Sequence, residues 1–592
     1  MARTRYGKAP CHSGRKAVRR SASTGSLAPV FSRPTLGRGW RGHAHGMGTQ
    51  HAETERKYDG TTLPERLDRV PGVAAAQSAE PQDLDAVYYD TQDLRLLRRH
   101  ITLRRRAGGS DAGWHLKLPR GGDVRQEIRL PLAAGGPNEV PAELAGLVVA
   151  STRGTSLAPV ARLHTRRARL LLRDDRGDTL AEITEDRVVA QILDAERVPV
   201  APSGDQAALA EDDAPGDRPA SEAGRAGGTG TEVCGWTEFE VELEHGTPAL
   251  LDRIEAVFAD AGLVRSTWPS KLSRALGEPR MAEARSAGPA STPAAGSAGA
   301  LVMDGFRAQL DAFLALDPAV RRGQADSVHQ MRVTARRLRS LLKAHRRLFE
   351  RDHVEPLAAE LRWLGRLLGR ARDQEVLGEE LVDQLDAVPA QLRQGALRGQ
   401  LTERYAQGYR QAWQRAVTEL DNARYFALLD GLDAFAADPP LNGRANRQAR
   451  TYLSEILRRE QRRTLKRLDR ALGTEPGPQR DQALHRARKA AKRARYTADH
   501  AQSHIPRRTA KRAAKFGARM KKLHKVLGAH QDSVVTRQEL IALESQHTGS
   551  SERHAFAFGV LYERQRHTAE AAQKRLPKLR RRAGRRKLTR LP

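Results

Sequence analysis

Charged and apolar residues alternate along residues 51–276, whereas from residue 301 onward the apolar residues recur every three or four positions. The first pattern predicts β-strands with one apolar and one polar face; the second predicts amphipathic helices. In the strand region Arg104 and Arg106 oppose Ile101 and Leu103, Lys117 opposes Leu116 and Leu118, and Arg125, Glu127 and Arg129 oppose Ile128 and Leu130. Arg167 and Arg169 oppose Ala168, Leu170 and Leu172, while Glu182 and Asp186 oppose Ala181 and Ile183. Glu53, Glu55 and Lys57 share one face at the start, and Glu238, Glu240, Glu242 and Glu244 oppose Phe239, Val241 and Leu243 at the end.

Taken singly, each strand reads as part of an antiparallel sheet with its charged side in water. Taken together, they differ from a solvated face, which mixes hydroxyls, amides and both charge signs. Carboxylates dominate the first and last strands, and Arg and Lys dominate several between. A sheet that closes into a barrel can make its first and last strands neighbours, so their carboxylates would converge. Facing inward, they could not all stay ionised without a cation, and all-oxygen ligation suits Mg²⁺ or Mn²⁺. The guanidinium and ammonium groups on the remaining wall suit phosphate oxygens. Such an interior is a phosphoryl-transfer site in which water attacks and no nucleophilic Ser, Cys or His is required. His115 shares the face of Lys117 and is expected to be an exposed, structural histidine.

In the helical region Val328, Met331, Ala335, Leu338 and Leu342 form a core-facing stripe, with His329, Arg332, Arg336, Arg339 and Lys343 directly beside it. About 156 residues later Leu484, Ala487, Ala491, Ala494 and Ala498 repeat the apolar stripe, flanked by His485, Arg488, Lys492 and Arg495. Each copy precedes a similar helix, LGRLLGRARD at 364–373 and LHKVLGAHQD at 523–532, which indicates an internal duplication. Solvated helix faces intersperse Glu with Lys because like charges at i, i+4 repel. Residues 327–349 hold seven Arg/Lys and residues 484–498 hold six, with no acid in either. The missing counter-charge has to come from a ligand, an extended polyanion. A nucleic acid would also call for stacking aromatics or base-reading amides, and neither stripe has an aromatic before Tyr496; a chain of bare phosphates needs only cations.

Composition divides the 592 residues the same way. The formal charge of +31 is concentrated in 301–592, with 61 Lys/Arg against 32 Asp/Glu, while 51–276 carries 29 against 37. Two cysteines, Cys11 and Cys234, supply neither a disulfide framework nor a Cys-ligated zinc site, and fit a reducing cytoplasm. The longest plainly apolar run, Leu144 to Ala150, is far short of the ~20 residues of a membrane span. Residues 1–50 read as a basic, disordered extension, with Met47 as the favoured true start. Residues 201–231 read as an acidic insert, 277–300 as a flexible linker, 301–573 as the helical domain and 574–592 as a disordered basic tail. The expected fold is α+β in two domains: an antiparallel eight-stranded β tunnel barrel, then an all-α bundle with an internal duplication.

Two resemblances sharpen this. The ExExK run from Glu53 to Lys57, RRR at 104–106, HLK ending at Lys117, QEIR at 126–129, TRRAR at 165–169, AEITEDRV at 181–188, EFEVEL at 238–243 and SKLSRAL at 270–276 resemble, in order, the CYTH group of triphosphate tunnel metalloenzymes. The resemblance implies a tunnel binding a triphosphate with Mg²⁺ or Mn²⁺. Glu53, Glu55, Glu238, Glu240 and Glu242 would be metal ligands, and Glu53, Glu55 and Lys57 catalytic. Lys57, Arg104, Arg106, Lys117, Glu127, Arg129, Arg167, Arg169 and Lys271 would surround the triphosphate. Leu272 stands where the family pattern leads one to expect an aromatic residue.

VHQMRVTARRLRSLL and LHRARKAAKRARYTAD, each with its following LG-D segment, resemble the two signatures of the CHAD domain, the conserved-histidine α-helical domain. This implies inorganic polyphosphate as a ligand of His329, Arg332, Arg336, Arg337, Arg339, Lys343, His485, Arg488, Lys489, Lys492, Arg493 and Arg495. The histidines sit among arginines that repel a dication, so they are expected to donate to phosphate rather than bind metal. The expected protein is a bacterial, cytoplasmic hydrolase of inorganic triphosphate or a related compound, recruited to polyphosphate or its granules, without a membrane anchor and with only non-specific attraction for nucleic acid. The alternatives are a non-catalytic polyphosphate-binding protein and, further off, a nucleic-acid-binding protein or an adenylate cyclase.

Overall fold

The computed structural model describes residues 49–136, 138–193, 233–286, 293–389, 395–501, 507–546 and 552–591. The expected insert at 201–231 and nearly all of the N-terminal extension, with Met47 and Cys11, lie outside the described residues. The strand region forms β1 (Thr49–Asp59), β2 (Ala75–Asp90), β3 (Thr102–Ala107), β4 (Gly113–Gly121), β5 (Val124–Leu130), β6 (Ala158–Arg173), β7 (Thr179–Ile192) and β8 (Val233–Leu243). They pair antiparallel in the order β5-β4-β3-β2-β6-β7-β8-β1, and β1 returns to β5, closing an eight-stranded barrel. A two-residue β9 (Val264–Arg265) adds to the end of β1.

Paired residues share a face, so register decides which alternating set points inward. Tyr88 pairs with Arg104, Arg104 with His115 and His115 with Arg129; Lys57 pairs with Glu240, Glu240 with Thr184 and Thr184 with Arg169. The charged set therefore lines the interior, and the apolar set is covered from outside by helices. α1 (Ala142–Thr152) buries Leu103, Trp114, Leu116 and Ile128 under Leu144, Leu147 and Val148, and α2 (Pro248–Asp260) buries Ala181, Ile183, Phe239 and Val241 under Leu251, Ile254 and Phe258. One end of the tunnel is closed by α3 (Lys271–Ser286), whose Leu272, Ala275 and Leu276 pack on Leu163, Val188, Ala190 and Ile192. Leu272, 1% exposed, thus fills with an aliphatic side chain the place where an aromatic was expected.

α3 breaks at Gly277 (φ 69°) and resumes to Ser286, and the next helix starts at Ala298, so the expected flexible linker is helical over part of its length; residues 287–292 lie outside the described residues.

The helical domain comprises α4 (Ala298–Leu314), α5 (Asp317–Arg321), α6 (Ser327–His345), α7 (Arg351–Asp386), α8 (Gly395–Leu420), α9 (Ala423–Ala437), α10 (Ala449–Leu472), α11 (Pro478–Ala501), α12 (Arg507–Gln546) and α13 (Glu552–Ala583). The duplication is visible in the packing: α4 on α6, α6 on α7 and α7 on α8 correspond to α10 on α11, α11 on α12 and α12 on α13. All ten residues of the two apolar stripes are buried. The basic C-terminal residues correct an expectation. They are not a disordered tail: α13 continues to Ala583, with Leu576 and Ala583 buried, and Arg580 forks onto Asp469 of α10 at 2.7 and 2.8 Å. Buried leucine at helical spacing overrides the local charge run. No helix among the described residues is long and apolar enough to cross a membrane.

Candidate functional site: a charged tunnel and a basic groove

Inside the barrel the carboxylates and cations interlock. Lys271 Nζ lies 2.9 Å from Asp186, 2.9 Å from Glu238 and 2.7 Å from Glu240. Lys57 contacts Glu240 and stands 3.6 Å from Glu55. Lys117 reaches Glu53 at 2.5 Å, Glu127 at 3.7 Å and Glu55 at 3.9 Å, and Arg125 reaches Glu55 at 3.4 Å. Arg129 bridges Glu53 at 3.2 Å and Glu127. Across the lumen Arg167 forks onto Asp186 at 2.7 Å through both nitrogens, Arg169 forks onto Glu182 at 2.8 Å, Arg106 contacts Asp111, and Arg104 donates to the Tyr88 hydroxyl at 3.2 Å.

The electrostatics follow from burial and company. Burial works against ionised Glu55, yet Lys57, Lys117, Arg125 and Lys271 outweigh it and hold the carboxyl below its ordinary range. Asp186 and Glu238 are lowered against burial by Lys271, with Arg167 helping at Asp186 and Lys57 at Glu238. Burial, reinforced by Lys271 and Arg125, brings Lys57 down to about 7. Glu242 behaves differently. It is the cross-strand partner of Glu55, makes no ion pair with any described residue, and is pushed up to about 7 by burial and by Glu53, Glu55 and Glu127.

The carboxylate wall thus divides. Glu242 has no cation in contact among the described residues, whereas Glu53 and Glu55 share Lys117, Lys57, Arg125 and Arg129, and Glu238 and Glu240 are held by lysines. Among the described residues no three His, Cys, Asp or Glu converge as a ready metal cluster, because Lys57, Lys117 and Lys271 are interleaved with the carboxylates. The donor set still fits a hard divalent cation at Glu53, Glu55 and Glu242, where the half-buried Glu242 carboxylate has no ion pair among the described residues. His115, expected to be exposed, is 1% exposed. Its strand face is the tunnel interior, where Nδ1 meets Glu127 at 2.9 Å and Nε2 meets the Asp111 carbonyl at 2.9 Å. Burial, with Arg104 and Arg106 nearby, brings the imidazole down to about 3, so it stays neutral and positions Glu127.

The two basic stripes meet where α6 and α11 pack together. Arg332, Arg336, Arg488 and Arg495 surround Lys492, and burial among them lowers its amine to about 6. Burial, with Arg372, Arg336 and Arg332 close by, lowers His329 to about 4. Buried and without a hydrogen-bond partner among the described residues are Nε of Arg336, Arg339 and Arg488 and Nδ1 of His329. Donors in this state await acceptors.

Two Mycobacterium tuberculosis proteins, from strains CDC 1551 and H37Rv, are each 36% identical to this chain over 536 residues, covering 89% of it and 95% of the relative. Both are described only as uncharacterized. The CYTH domain model matches residues 51–274 and the CHAD domain model residues 304–541. The chain belongs to the CYTH–CHAD family. Among solved structures, PptA from Streptomyces chartreusis is 21% identical with TM-score 0.40, covering 48% of this chain and 99% of PptA. The CHAD domain from the plant Ricinus communis is 25% identical with TM-score 0.38, covering 49% and 95%. CYTH domains are metal-dependent and bind triphosphate substrates.

Within the CHAD domain three expected ligands also have other surroundings. Arg493 pairs with buried Glu460 of α10 at 2.8 Å, Arg337 lies over the Tyr496 ring at 5.9 Å, and Lys489 is exposed. His485 bonds Gln531 at 2.6 Å, while Arg339 and Lys343 extend the groove toward Arg362 of α7. The LG-D segments have a local role: Asp373 and Asp532 approach Arg332 and Arg488 at 3.6 and 3.8 Å, and a Cβ on Gly369 would stand 3.2 Å from Arg332 Nε. The glycine makes room for an arginine that the aspartate orients.

Sequence reading missed several contributors. In the CYTH domain these are Asp186, Arg125, Tyr88 and Asp111; in the CHAD domain, Arg362, Arg372 and His524, the last lowered to about 3 by burial beside Lys492, Arg488 and Arg495. A signal was present for Asp186, which lies on the charged face of its strand, and for His524 and Arg372, which lie inside the duplicated segments.

Proposed function

We propose that this CYTH–CHAD protein hydrolyses inorganic triphosphate, or a compound carrying a triphosphate, in the CYTH tunnel, and binds inorganic polyphosphate in the CHAD groove, which would place it on polyphosphate granules in the cytoplasm. The observation that carries the reading is the tunnel's lining: Glu242, without an ion pair among the described residues, lies across from Glu55 and near Glu53 in a lumen also lined by Arg104, Arg106, Lys117, Arg129, Arg167 and Arg169.

Glu53, Glu55 and Glu242 would hold Mg²⁺ or Mn²⁺, which when bound polarises phosphoryl oxygens and lowers the pKa of water. The guanidinium groups release their carboxylate partners to the phosphate oxygens, fix the chain along the lumen and offset charge on the transferring group. Lys57, near neutrality at about 7, can hold an oxygen or relay a proton at the carboxylate wall. His115 and Glu127 hold Lys117 and Arg129 in place. Phosphate release from tripolyphosphate, thiamine triphosphate and a nucleoside triphosphate, each with Mg²⁺ and then Mn²⁺, tests the reading. Metal-dependent release from at least one is expected, and binding of all three without release would make the tunnel a binding site only.

The groove reading has its own check. Lys492, lowered to about 6, is mostly neutral at pH 7 in the free protein, and a bound polyanion favours its ammonium form. Binding should therefore take up protons above pH 6, so affinity strengthens as pH falls from 8 toward 6 and levels off below, where the free amine is already charged. Calorimetric heats at pH 7 in buffers of different ionisation enthalpy should differ accordingly; identical heats would contradict this account.

A further inference from the structure

A second run of positive charge lies across α11 from the groove. Residues 458–467 of α10 hold six Arg/Lys and one acid, Glu460. All three acids of α10 are engaged by cations from outside that run: Glu455 by Arg447 at 2.6 Å, Glu460 by Arg493 of α11 at 2.8 Å and Asp469 by Arg580 of α13 at 2.7 Å. Arg458, Arg462, Arg463, Lys466 and Arg467 make no ion pair with any described residue. Like charges at helical spacing repel, so the run works against the helix unless something outside the fold neutralises it.

Three contacts place the run. Arg459 donates to the Ala344 carbonyl at the end of α6 at 2.5 Å, Arg493 reaches back from α11 to Glu460, and Arg467 donates to the Arg486 carbonyl of α11 at 3.3 Å. The edge formed by Arg459, Arg463 and Arg467 therefore lies along α11, on the side where Arg486 and Arg493, seven residues apart, fall one above the other. Nη2 of Arg493 is buried with no hydrogen-bond partner among the described residues. Burial, with Arg493, Arg467 and Arg346 close by, lowers Arg463 to about 10. This furrow meets the groove at two places. Lys343, at the groove's end, is lowered by burial, by Arg339 and Arg362 on the groove side and by Arg493 on the furrow side, with Glu355 opposing. On the outward ridge of α11, exposed Lys489 follows His485 by one turn and lowers its imidazole.

We infer that the furrow between α10 and α11 is a second polyphosphate track, continuous with the groove, so that a chain too long for the groove lies in both. The inference rests on the proposed groove reading and adds a preference for long chains. The stripe of α6 from His329 to Lys343 spans about 21 Å, and a chain that outruns it meets Lys343 or Lys489 and then guanidiniums without counter-charge. A bare phosphate chain fits better than a nucleic acid, because the aromatic residues of the two helices, Tyr452 and Tyr496, are buried and leave no stacking surface. Contacts made in the furrow by a chain already held in the groove are intramolecular, so each adds affinity at high effective concentration.

The test uses the full-length protein with Arg463→Gln, Arg467→Gln and Arg486→Gln together, residues outside the groove. Affinity for long-chain polyphosphate at moderate salt should fall by about tenfold or more, and the slope of its logarithm against the logarithm of salt should flatten by about two, three contacts at about 0.7 each. A short chain of about 20 Å, which the groove holds by itself, should bind as it does to wild type. Lysine at the same three positions keeps the charges and should restore long-chain affinity, which separates loss of charge from loss of fold. Wild-type long-chain affinity in the glutamine variant overturns the inference, as does an equal loss for both lengths. Loss of single-stranded RNA binding with long-chain binding intact would assign the furrow to nucleic acid and overturn it as well. A wild-type protein that binds neither length refutes the groove reading and this inference with it, whereas short-chain binding that Arg336→Gln with Lys492→Gln removes sustains the groove reading whichever way the furrow falls.

Discussion

Glu55→Gln is expected to lower metal-dependent triphosphate turnover by about a hundredfold or more while leaving a cooperatively folded barrel. Removing one partner of a buried ion pair usually costs about 3–5 kcal/mol because the other charge is stranded. Here each of the three cations in contact with Glu55 keeps an acceptor. Lys57 retains Glu240, Lys117 retains Glu53, and Arg125 retains the Pro269 carbonyl. Glu242→Gln should differ in the sign of its stability effect. It removes a half-buried carboxylate that has no ion partner among the described residues and is crowded by Glu53, Glu55 and Glu127, so the metal-free protein should melt at a higher temperature while activity is lost. Thermal unfolding with and without Mg²⁺ separates the cases: wild type should gain stability from metal, and both variants should gain less. Wild-type turnover in either variant would remove the carboxylates from the metal site.

Replacing Arg332, Arg336, Arg339, Arg488, Lys492 and Arg495 together by Gln should weaken polyphosphate binding by about a thousandfold or more at moderate salt, since each neutralised phosphate contact contributes through counterion release. The same substitutions should raise the melting temperature of the ligand-free helical domain. Lys492 is lowered to about 6 because burial and four arginines oppose its charge, and relieving like-charge repulsion stabilises the unliganded fold. Loss of binding with gain of stability marks a groove kept for its ligand. Binding that survives all six changes would move the ligand elsewhere on this basic domain. Truncation at 574 is not a clean control, because α13 is packed to Ala583.

Much of this protein is legible from one dimension. Alternation across seven segments marks strands with one charged and one apolar face, helical spacing marks the stripes of α6 and α11, and duplicated LG-D segments announce a repeated unit; the strand Ala75–Asp90 is not among the seven. Periodicity reports which residues share a face, and that part of the reading holds for every residue of the two apolar stripes. It does not report what a face meets. That His115 is buried against Glu127, that Lys271 holds Glu238 and Glu240 while Glu242 is left without a cation, and that Arg493 turns to Glu460 depend on register and on partners 12 to 33 residues distant in sequence. The helical end of α13 was hidden by its charge, because local composition weighs every Arg as solvated while a single leucine buried against α10 and α11 decides the segment. The pairing of Arg153 and Arg99 with Asp433 crosses about 300 residues of chain and carries no periodic trace at all; only the tertiary structure, which closes one sheet and stacks two repeats, brings those side chains together.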